Sequence, residues 1–184
     1  METIVTSPYD SPVGRLVIGA LEDSICLCDW SDDGIRPRAT VEQRLRRRLA
    51  ARMEEGAAAV IDMARLQLDE YFAGRRECFQ LPLTMAGTDL QQTVWRRLCS
   101  IPFASTVSYR ELADAVGRPS AVRAVAAACG VNAISIIVPC HRVTGSDGSL
   151  TGYAGGVEAK RRLIAMERRE HLSMTIFAQS FTII

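Results

Sequence analysis

"SYRELADAVGRPSAVRAVAAACG", residues Ser108 to Gly130, contains two short helical segments separated by a Gly/Pro turn. Ser108 and Glu111 have the spacing of a capping box, in which the hydroxyl takes the third helical N–H and the carboxylate reaches back to the cap. Gly117 and Pro119 stop that helix, and a second runs from near Ser120 to Gly130. Two helices joined this tightly form a helix-turn-helix candidate, although helical hairpins also occur in proteins that bind no nucleic acid. The second helix is thin, carrying Ala121, Ala124, Ala126, Ala127 and Ala128, with Arg123 as its one charged side chain. Such a helix admits close backbone approach, either from a protein core with Arg123 reaching out to solvent or from a nucleic-acid groove. The residues alone leave both readings open.

Downstream, "GVNAISIIVPCHRV" follows, residues Gly130 to Val143. Gly130, Val131 and Asn132 read as a turn, and the β-branched run from Ile134 to Val138 as a strand buried on both faces. Pro139 offers no ladder N–H and should end it, leaving Cys140 at a strand exit beside His141 and Arg142. A free thiol ionises near pH ~8.5, so a cysteine that attacks needs a base or a nearby cation. Strand neighbours point to opposite faces, which favours a water between His141 and the sulfur. A carboxylate from the last helix, Glu158, Glu167 or Glu170, would orient the imidazole. The bland alternative is a buried inert Cys140 beside a surface His141. "RVTGSDGSLTGYAGG" reads as a hairpin-like excursion turning at Asp147-Gly148, before a last helix from about Val157 to Glu170. The apolar tail "LSMTIFAQSFTII" has no assignable element.

Upstream, "TDLQ" is a second capping box, Thr88 to Gln91, opening a helix from Asp89 to Cys99 with Leu90, Val94 and Leu98 on one face. The texture changes at Thr88. Before it, "YDSPVGRLVIGALED" and "SICLCDW" read as strands, "SDDGIRP" as a loop and Val41 to Met53 as a helix. "AVIDMARLQLDEYFAG" reads as a second helix closed by Gly74, and "CFQLPLTMAG" as an extended segment broken at Pro82. The expected organisation is therefore a structural unit over 1–87 and a second unit, bearing the helix pair and Cys140, over 88–184.

The 184 residues are 48% apolar and 23% charged, the balance of a soluble globular protein, and no stretch is long and apolar enough to span a bilayer. No export signal is visible, so a cytoplasmic location with reduced thiols is expected. Cys26 and Cys28 are spaced C-x-C, and His141 and His171 lie far from them, so no metal site is expected; Cys26, Cys28, Cys78, Cys99 and Cys129 read as packing residues. Residues 1–87 hold 11 basic and 14 acidic side chains, residues 88–184 hold 11 and 7, and Lys160 is the one lysine among 22 basic residues. The basic second half suits phosphate contacts and equally suits ordinary solvated surface.

"PCHRV", Pro139 to Val143, resembles the active-site signature of the O6-alkylguanine-DNA alkyltransferases. "TDLQQTVWRRL", "TVSYRELADAVGRPSAVRAVAAA", "VNAISIIVPCHRV", "TGYAGGVEAKRRL" and Glu167 fall in that family's order and spacing, and "LDEYFAG" before them is also similar. The resemblance implies an α/β (α+β) protein. Its N-terminal half would be a small antiparallel sheet with helices, ribonuclease H-like, and its C-terminal half mostly helical, with a helix-turn-helix and short parallel strands. It further implies direct, once-only transfer of the alkyl group from O6-alkylguanine in duplex DNA to Cys140, O4-alkylthymine being a further candidate substrate. No cofactor and no metal are implied. Carried over by position, Cys140 is the acceptor, His141 acts on it through a water, and Glu167 orients His141. Asn132 supports the turn, Tyr109 serves the flipped nucleotide, and Arg123 fills the gap in the base stack. Ser120, Ala121, Ala124, Ala126 and Ala127 would border the minor groove, where sequence is poorly readable. Val143, Tyr153, Ala154, Gly155 and Gly156 would border the base pocket. The expected partner is lesion-bearing double-stranded DNA, not a membrane, bound by a monomer, with cooperative assembly on DNA left open. Ala104-Ser105 stands where the family usually has Gly-Glu, Ala133 where proline is common, and Ala154 where serine or glycine is common. The alternatives are a non-catalytic lesion binder of the alkyltransferase-like type, which lacks the acceptor cysteine, a Cys–His hydrolase, and a transcriptional helix-turn-helix module.

Overall fold

A computed structural model describes residues 2–31 and 35–170. The tail from His171, unplaced above, lies outside the described residues.

Three strands open the chain: β1 (Glu2–Ser11), β2 (Gly14–Leu21) and β3 (Ser24–Trp30). β1 and β2 form a hairpin closed at Ser11 and Gly14, where a left-handed Gly14 (φ 135°) lies against the Trp30 ring. α1 (Arg38–Leu49) then leads into β4 (Ala51–Glu55), which pairs in parallel with β1 to give the order β3-β2-β1-β4. The expected helix over Val41 to Met53 is therefore only half right. Ala50 takes a left-handed conformation (φ 49°), its N–H closes on the Arg46 carbonyl, and the chain turns back as an edge strand. That pairing is non-local and invisible to helical periodicity. α2 (Ala59–Phe72) covers the sheet with Val60, Ile61, Ala64, Leu68 and Tyr71, and ends at Gly74 as expected.

The outer edge of β3 joins the two halves. Ile25 exchanges hydrogen bonds with the extended linker, its N–H donating to Pro82 (2.8 Å) and its carbonyl accepting from Thr84 (2.9 Å). Three residues on, the Cys28 N–H donates to Ala133 (2.8 Å) and its carbonyl accepts from Ser135 (2.6 Å). The segment that leads to Cys140 is thus docked on the N-terminal sheet.

In the second half, α3 (Asp89–Leu98) and α4 (Tyr109–Ala115) both carry the complete capping boxes read from Thr88/Gln91 and Ser108/Glu111. α5 (Val122–Gly130) packs on both, and the Trp95 indole N–H donates to the Ala128 carbonyl at 2.8 Å. Two-residue strands β5 (Val107–Ser108) and β6 (Val143–Thr144) pair in parallel, and α6 (Gly156–Glu167) is the last element of the described residues.

Residues 134–138 do not form the expected strand. After one bridge to Cys28, Ile136 turns left-handed (φ 71°) and the Val138 N–H folds back on the Ile134 carbonyl at 2.9 Å. β-Branched residues are compatible with this tight coil because every one is buried, and the Asn132 side chain supplies partners that a neighbouring strand would have given. Its Oδ1 accepts the Ile134 N–H (2.9 Å), and its amide donates to the Val138 carbonyl (2.9 Å).

Candidate active site

Cys140 opens a single 3-10 turn, Cys140–Arg142, and so does not sit at a strand exit. The turn is buried, and its three side chains part company. The Cys140 Sγ accepts from Asn132 Nδ2 at 3.2 Å, while His141 and Arg142 reach Glu167 near the end of α6. Sequence reasoning offered three carboxylates for this place. Glu158 pairs with Arg161 and Glu170 with Arg168, both near the surface, whereas Glu167 is buried against His141.

Glu167 collects donors on both oxygens. Oε1 takes His141 Nε2 (2.7 Å), Arg142 Nη2 (3.0 Å) and the Tyr71 hydroxyl (2.7 Å), and Oε2 takes Arg142 Nε (3.0 Å) and the Ala104 N–H (3.0 Å). Burial raises this carboxyl's affinity for a proton, but the hydrogen bonds from His141 and Arg142 and the guanidinium charge outweigh it and hold Glu167 at about 2. A carboxylate can only accept, so Nε2 of His141 carries the proton. Burial also pushes the imidazole below its ordinary value, and Glu167 only partly compensates, so His141 is neutral at pH 7. Its Nδ1 is then the basic nitrogen, and among the described residues it has no hydrogen-bond partner.

Burial pushes the Cys140 thiol up, opposed by the Asn132 hydrogen bond and by the charges of Lys160 and Arg36. The resting sulfur is therefore an S–H that must lose its proton to react. Arg142, adjacent in sequence, is committed to Glu167 and to the Ile101 carbonyl (2.8 Å) and does not serve the sulfur. The charges that favour the thiolate are instead those of Lys160, the larger, and Arg36; Lys160 is fully buried on α6, with Nζ donating to the Thr151 carbonyl at 2.9 Å and lying 5.9 Å from the Tyr109 ring centre. Sequence analysis missed this role, although a lone lysine among 21 arginines was a visible signal.

Tyr109, first residue of α4, is half-buried, with its hydroxyl 3.4 Å from the same Thr151 carbonyl. Burial raises its pKa to about 12, so it remains a donor at neutral pH. Tyr153 is buried edge-on to both Trp30 (5.9 Å) and His141 (6.4 Å). Gly155 lies so close to Trp30 that a Cβ would fall 2.1 Å from its ring. Val143 is buried in β6, Ala154 is half-buried in the loop before α6, and Gly156 is half-buried at the first position of α6. On α5, Val125, Ala128 and Cys129 are buried, while Arg123, Ala124 and Ala127 are exposed, as is the preceding Ser120; Ala121 and Ala126 are half-buried. The alanine-rich helix thus packs with one face and presents the other, with Arg123, to solvent. Of the expected site residues, Cys140 meets Asn132 and His141 meets Glu167, two pairs held together by the 3-10 turn, and Tyr109 shares the Thr151 carbonyl with Lys160.

Both halves of the chain have relatives among known proteins. Residues 89–169 match the family profile described as 6-O-methylguanine DNA methyltransferase, DNA binding domain, and residues 4–85 match the ribonuclease-like domain of the same protein. A methylated-DNA–protein-cysteine methyltransferase of Mycolicibacterium paratuberculosis is 39% identical over 169 residues, 91% of this chain and 95% of that protein. The chain belongs to the 6-O-methylguanine DNA methyltransferase family. The crystal structure of the Mycobacterium tuberculosis O6-methylguanine methyltransferase superposes with a TM-score of 0.75 at 38% identity, covering 96% of this chain and 99% of that one. The M. tuberculosis protein in complex with DNA superposes at 0.74 and 37% identity, over 93% and 96% of the two chains. Like other members of the methyltransferase family, this chain is a mixed α/β protein with a DNA-binding domain. Among the described residues no helix is long and apolar enough to cross a membrane.

Proposed function

We propose that this protein repairs DNA by moving the alkyl group of O6-alkylguanine, irreversibly and once, onto Cys140. The observation that carries the proposal is the buried thiol itself. Cys140 is held by Asn132 and stands beside a histidine whose free nitrogen is a base. A lesion binder of the alkyltransferase-like type would need no such sulfur. O4-alkylthymine is a second candidate substrate.

In this reading, the S–H proton passes to His141 Nδ1 through a water as the sulfur attacks the alkyl carbon. The S–C bond forms while the C–O6 bond breaks, and its electron pair goes to the purine. The purine takes a proton from the Tyr109 hydroxyl, leaving guanine and a thioether on Cys140. Glu167 stays ionised and stabilises the imidazolium, and Lys160 and Asn132 stabilise the developing thiolate. No ordinary hydrolysis reverses a thioether, so each molecule acts once.

The alkyl carbon is inside the duplex and must be flipped out, at a cost of a few kcal/mol. The solvent face of α5 suits a narrow groove because its alanines are short, and Arg123, exposed on that helix, is assigned to fill the vacated stack. Val143, Tyr153, Ala154, Gly155 and Gly156 are assigned to the pocket for the extruded base. Residues 1–87 serve as the structural unit and 88–184 as the unit that binds DNA and accepts the alkyl group, acting as a monomer in the cytoplasm.

The test is intact-protein mass spectrometry after incubation with a duplex bearing O6-methylguanine. A gain of one methylene equivalent on the Cys140 peptide is expected, and its absence in a folded protein would refute the assignment. Cys140→Ser should lose transfer and keep DNA affinity. Arg123→Ala should slow repair of duplex far more than reaction with free O6-benzylguanine; equal losses would remove Arg123 from the stack.

A further inference from the structure

We infer that Tyr71, on α2 of the N-terminal half, is a positioning residue for the acceptor site, its hydroxyl holding Glu167 and thereby governing the basicity of His141. The inference rests on the reading of Cys140 as acceptor with His141 as its base.

Tyr71 is fully buried, with its ring against Phe72 (5.2 Å), Phe79 (5.3 Å) and Phe103 (6.2 Å). Packing among three phenylalanines asks only for a fourth aromatic ring, and phenylalanine would meet that need without a polar atom to bury. The hydroxyl instead lies 2.7 Å from Glu167 Oε1, the oxygen that also accepts His141 Nε2 at 2.7 Å. Burial and the Glu167 charge both raise the phenol well above its ordinary value, so the group stays O–H and can donate to that oxygen at any physiological pH.

Oε1 also accepts Arg142 Nη2, and donors that share one carboxylate oxygen compete. Each hydrogen bond draws charge from Oε1 and weakens its pull on the other donors' protons. With Tyr71 in place, Glu167 orients the imidazole while stabilising its protonated form less than an unshared carboxylate would. The other groups facing this pair are Arg142 from the 3-10 turn, Lys160 from α6, Tyr153 edge-on to the ring, and Cys140 itself. Arg142 and the Ala104 N–H also bind Glu167, but both come from the second half of the chain. Among the described residues, Tyr71 is the one side chain from the first half bonded to Glu167. The N-terminal half, 96 residues distant in sequence at this contact, thus reaches the proton chemistry and not only the packing.

Three variants test this: Tyr71→Phe, which removes one oxygen; Phe79→Leu, which disturbs the same aromatic packing and keeps the hydroxyl; and 3-fluorotyrosine placed at 71, which makes the phenol a stronger donor. Two readouts are taken against pH: the single-turnover rate of Cys140 alkylation, and the ¹⁵N shifts of His141 in protein without DNA. In Tyr71→Phe the His141 titration and the acid limb of the rate should both move up by roughly half to one pH unit. DNA affinity should be unchanged. 3-Fluorotyrosine should move both the other way, and this arm stands even if Tyr71→Phe fails to fold. Phe79→Leu should lose stability without moving either curve. Curves that superpose on wild type in Tyr71→Phe and in the fluorotyrosine protein, or an equal displacement in Phe79→Leu, would overturn the inference. If wild type does not alkylate Cys140, the acceptor reading fails instead, and the His141 titration still decides what Tyr71 does.

Discussion

Replacing Asn132 by alanine should both destabilise the protein and slow alkyl transfer, by amounts that follow from its bonds. The side chain closes the coil that carries the acceptor, taking the Ile134 N–H at 2.9 Å and giving to the Val138 carbonyl at 2.9 Å. All three residues are buried, so no solvent replaces the lost partners. Without the Asn132 side chain the Ile134 N–H is orphaned, at ~1–3 kcal/mol, while the Val138 carbonyl keeps the Cys140 N–H (2.8 Å) and loses its second donor, at ~0.5–1.5 kcal/mol, which together give about 1.5–4.5 kcal/mol of lost stability. That is a large share of the ~5–15 kcal/mol that ordinarily separates a folded domain from its unfolded chain. The third bond, Nδ2 to Cys140 Sγ at 3.2 Å, acts on the chemistry. A donor to a developing thiolate contributes ~1.5–3 kcal/mol, so its loss should slow transfer by roughly ten- to a hundredfold in molecules that remain folded. Asn132→Asp separates the two effects, because Oδ1 still serves Ile134 while both donors vanish and a negative charge arrives beside the sulfur. It should be the slower enzyme of the two at equal folded fraction. Urea unfolding followed by Trp fluorescence gives the first quantity, and single-turnover transfer to a methylated duplex gives the second. An Asn132→Ala protein within ~0.5 kcal/mol of wild type, inside the range of neutral surface changes, would refute the accounting of the coil.

Acid should unfold the protein through Glu167 and His141. The Glu167 pKa is about 2 in the fold against 4.5 for a free side chain, so its contribution of about 3 kcal/mol is complete above pH 4.5 and lost as pH falls toward 2. His141 is lowered, so the unfolded chain takes up its proton first, and stability also falls as pH drops below 6.5. Glu167→Gln should flatten the acid limb of a stability–pH curve measured by denaturant titration, and an unchanged curve would contradict the assignment. Ala104 is left-handed (φ 61°), so Ala104→Gly should stabilise by about 0.5–1 kcal/mol in urea unfolding while keeping the N–H that serves Glu167. Gly155→Ala should destabilise by about 1–3 kcal/mol and alter Trp30 fluorescence, because its Cβ would enter the indole.

What the sequence disclosed and what it withheld divide along physical lines. Capping boxes at Thr88 and Ser108 are local hydrogen-bonding patterns, and both appear where the residues put them. The turn at Asp147-Gly148 likewise forms, with Gly148 left-handed and the Asp147 carboxylate taking the Ser149 N–H. The start of β4, Ala51 to Met53, was read as helix because its pairing with β1 joins residues some fifty positions apart, and no local signal reports it. Residues 134–138 were read as strand because burial and β-branching were visible, whereas the Asn132 side chain that replaces a strand partner was not. At the site, Cys140, His141 and Glu167 followed from the resemblance, and residue chemistry alone left three carboxylates in contention. Lys160 and Tyr71 were missed for one reason: each acts by being buried next to a charge, and burial of a lone polar side chain has no sequence signature.

Both margins of the four-stranded sheet are shielded from strand addition by other molecules. At one margin β4 is only five residues long and carries Arg52, Glu54 and Glu55, side chains that discourage further pairing. At the other, β3 is occupied by Pro82–Thr84 and by Ala133–Ser135, the latter donated by the second half of the chain. A fragment ending near residue 87 would therefore leave the Cys28 end of β3 bare, while Ile25 would keep its partners Pro82 and Thr84. Such a fragment should self-associate as it is concentrated, whereas the intact chain, having filled that margin with its own backbone, should not.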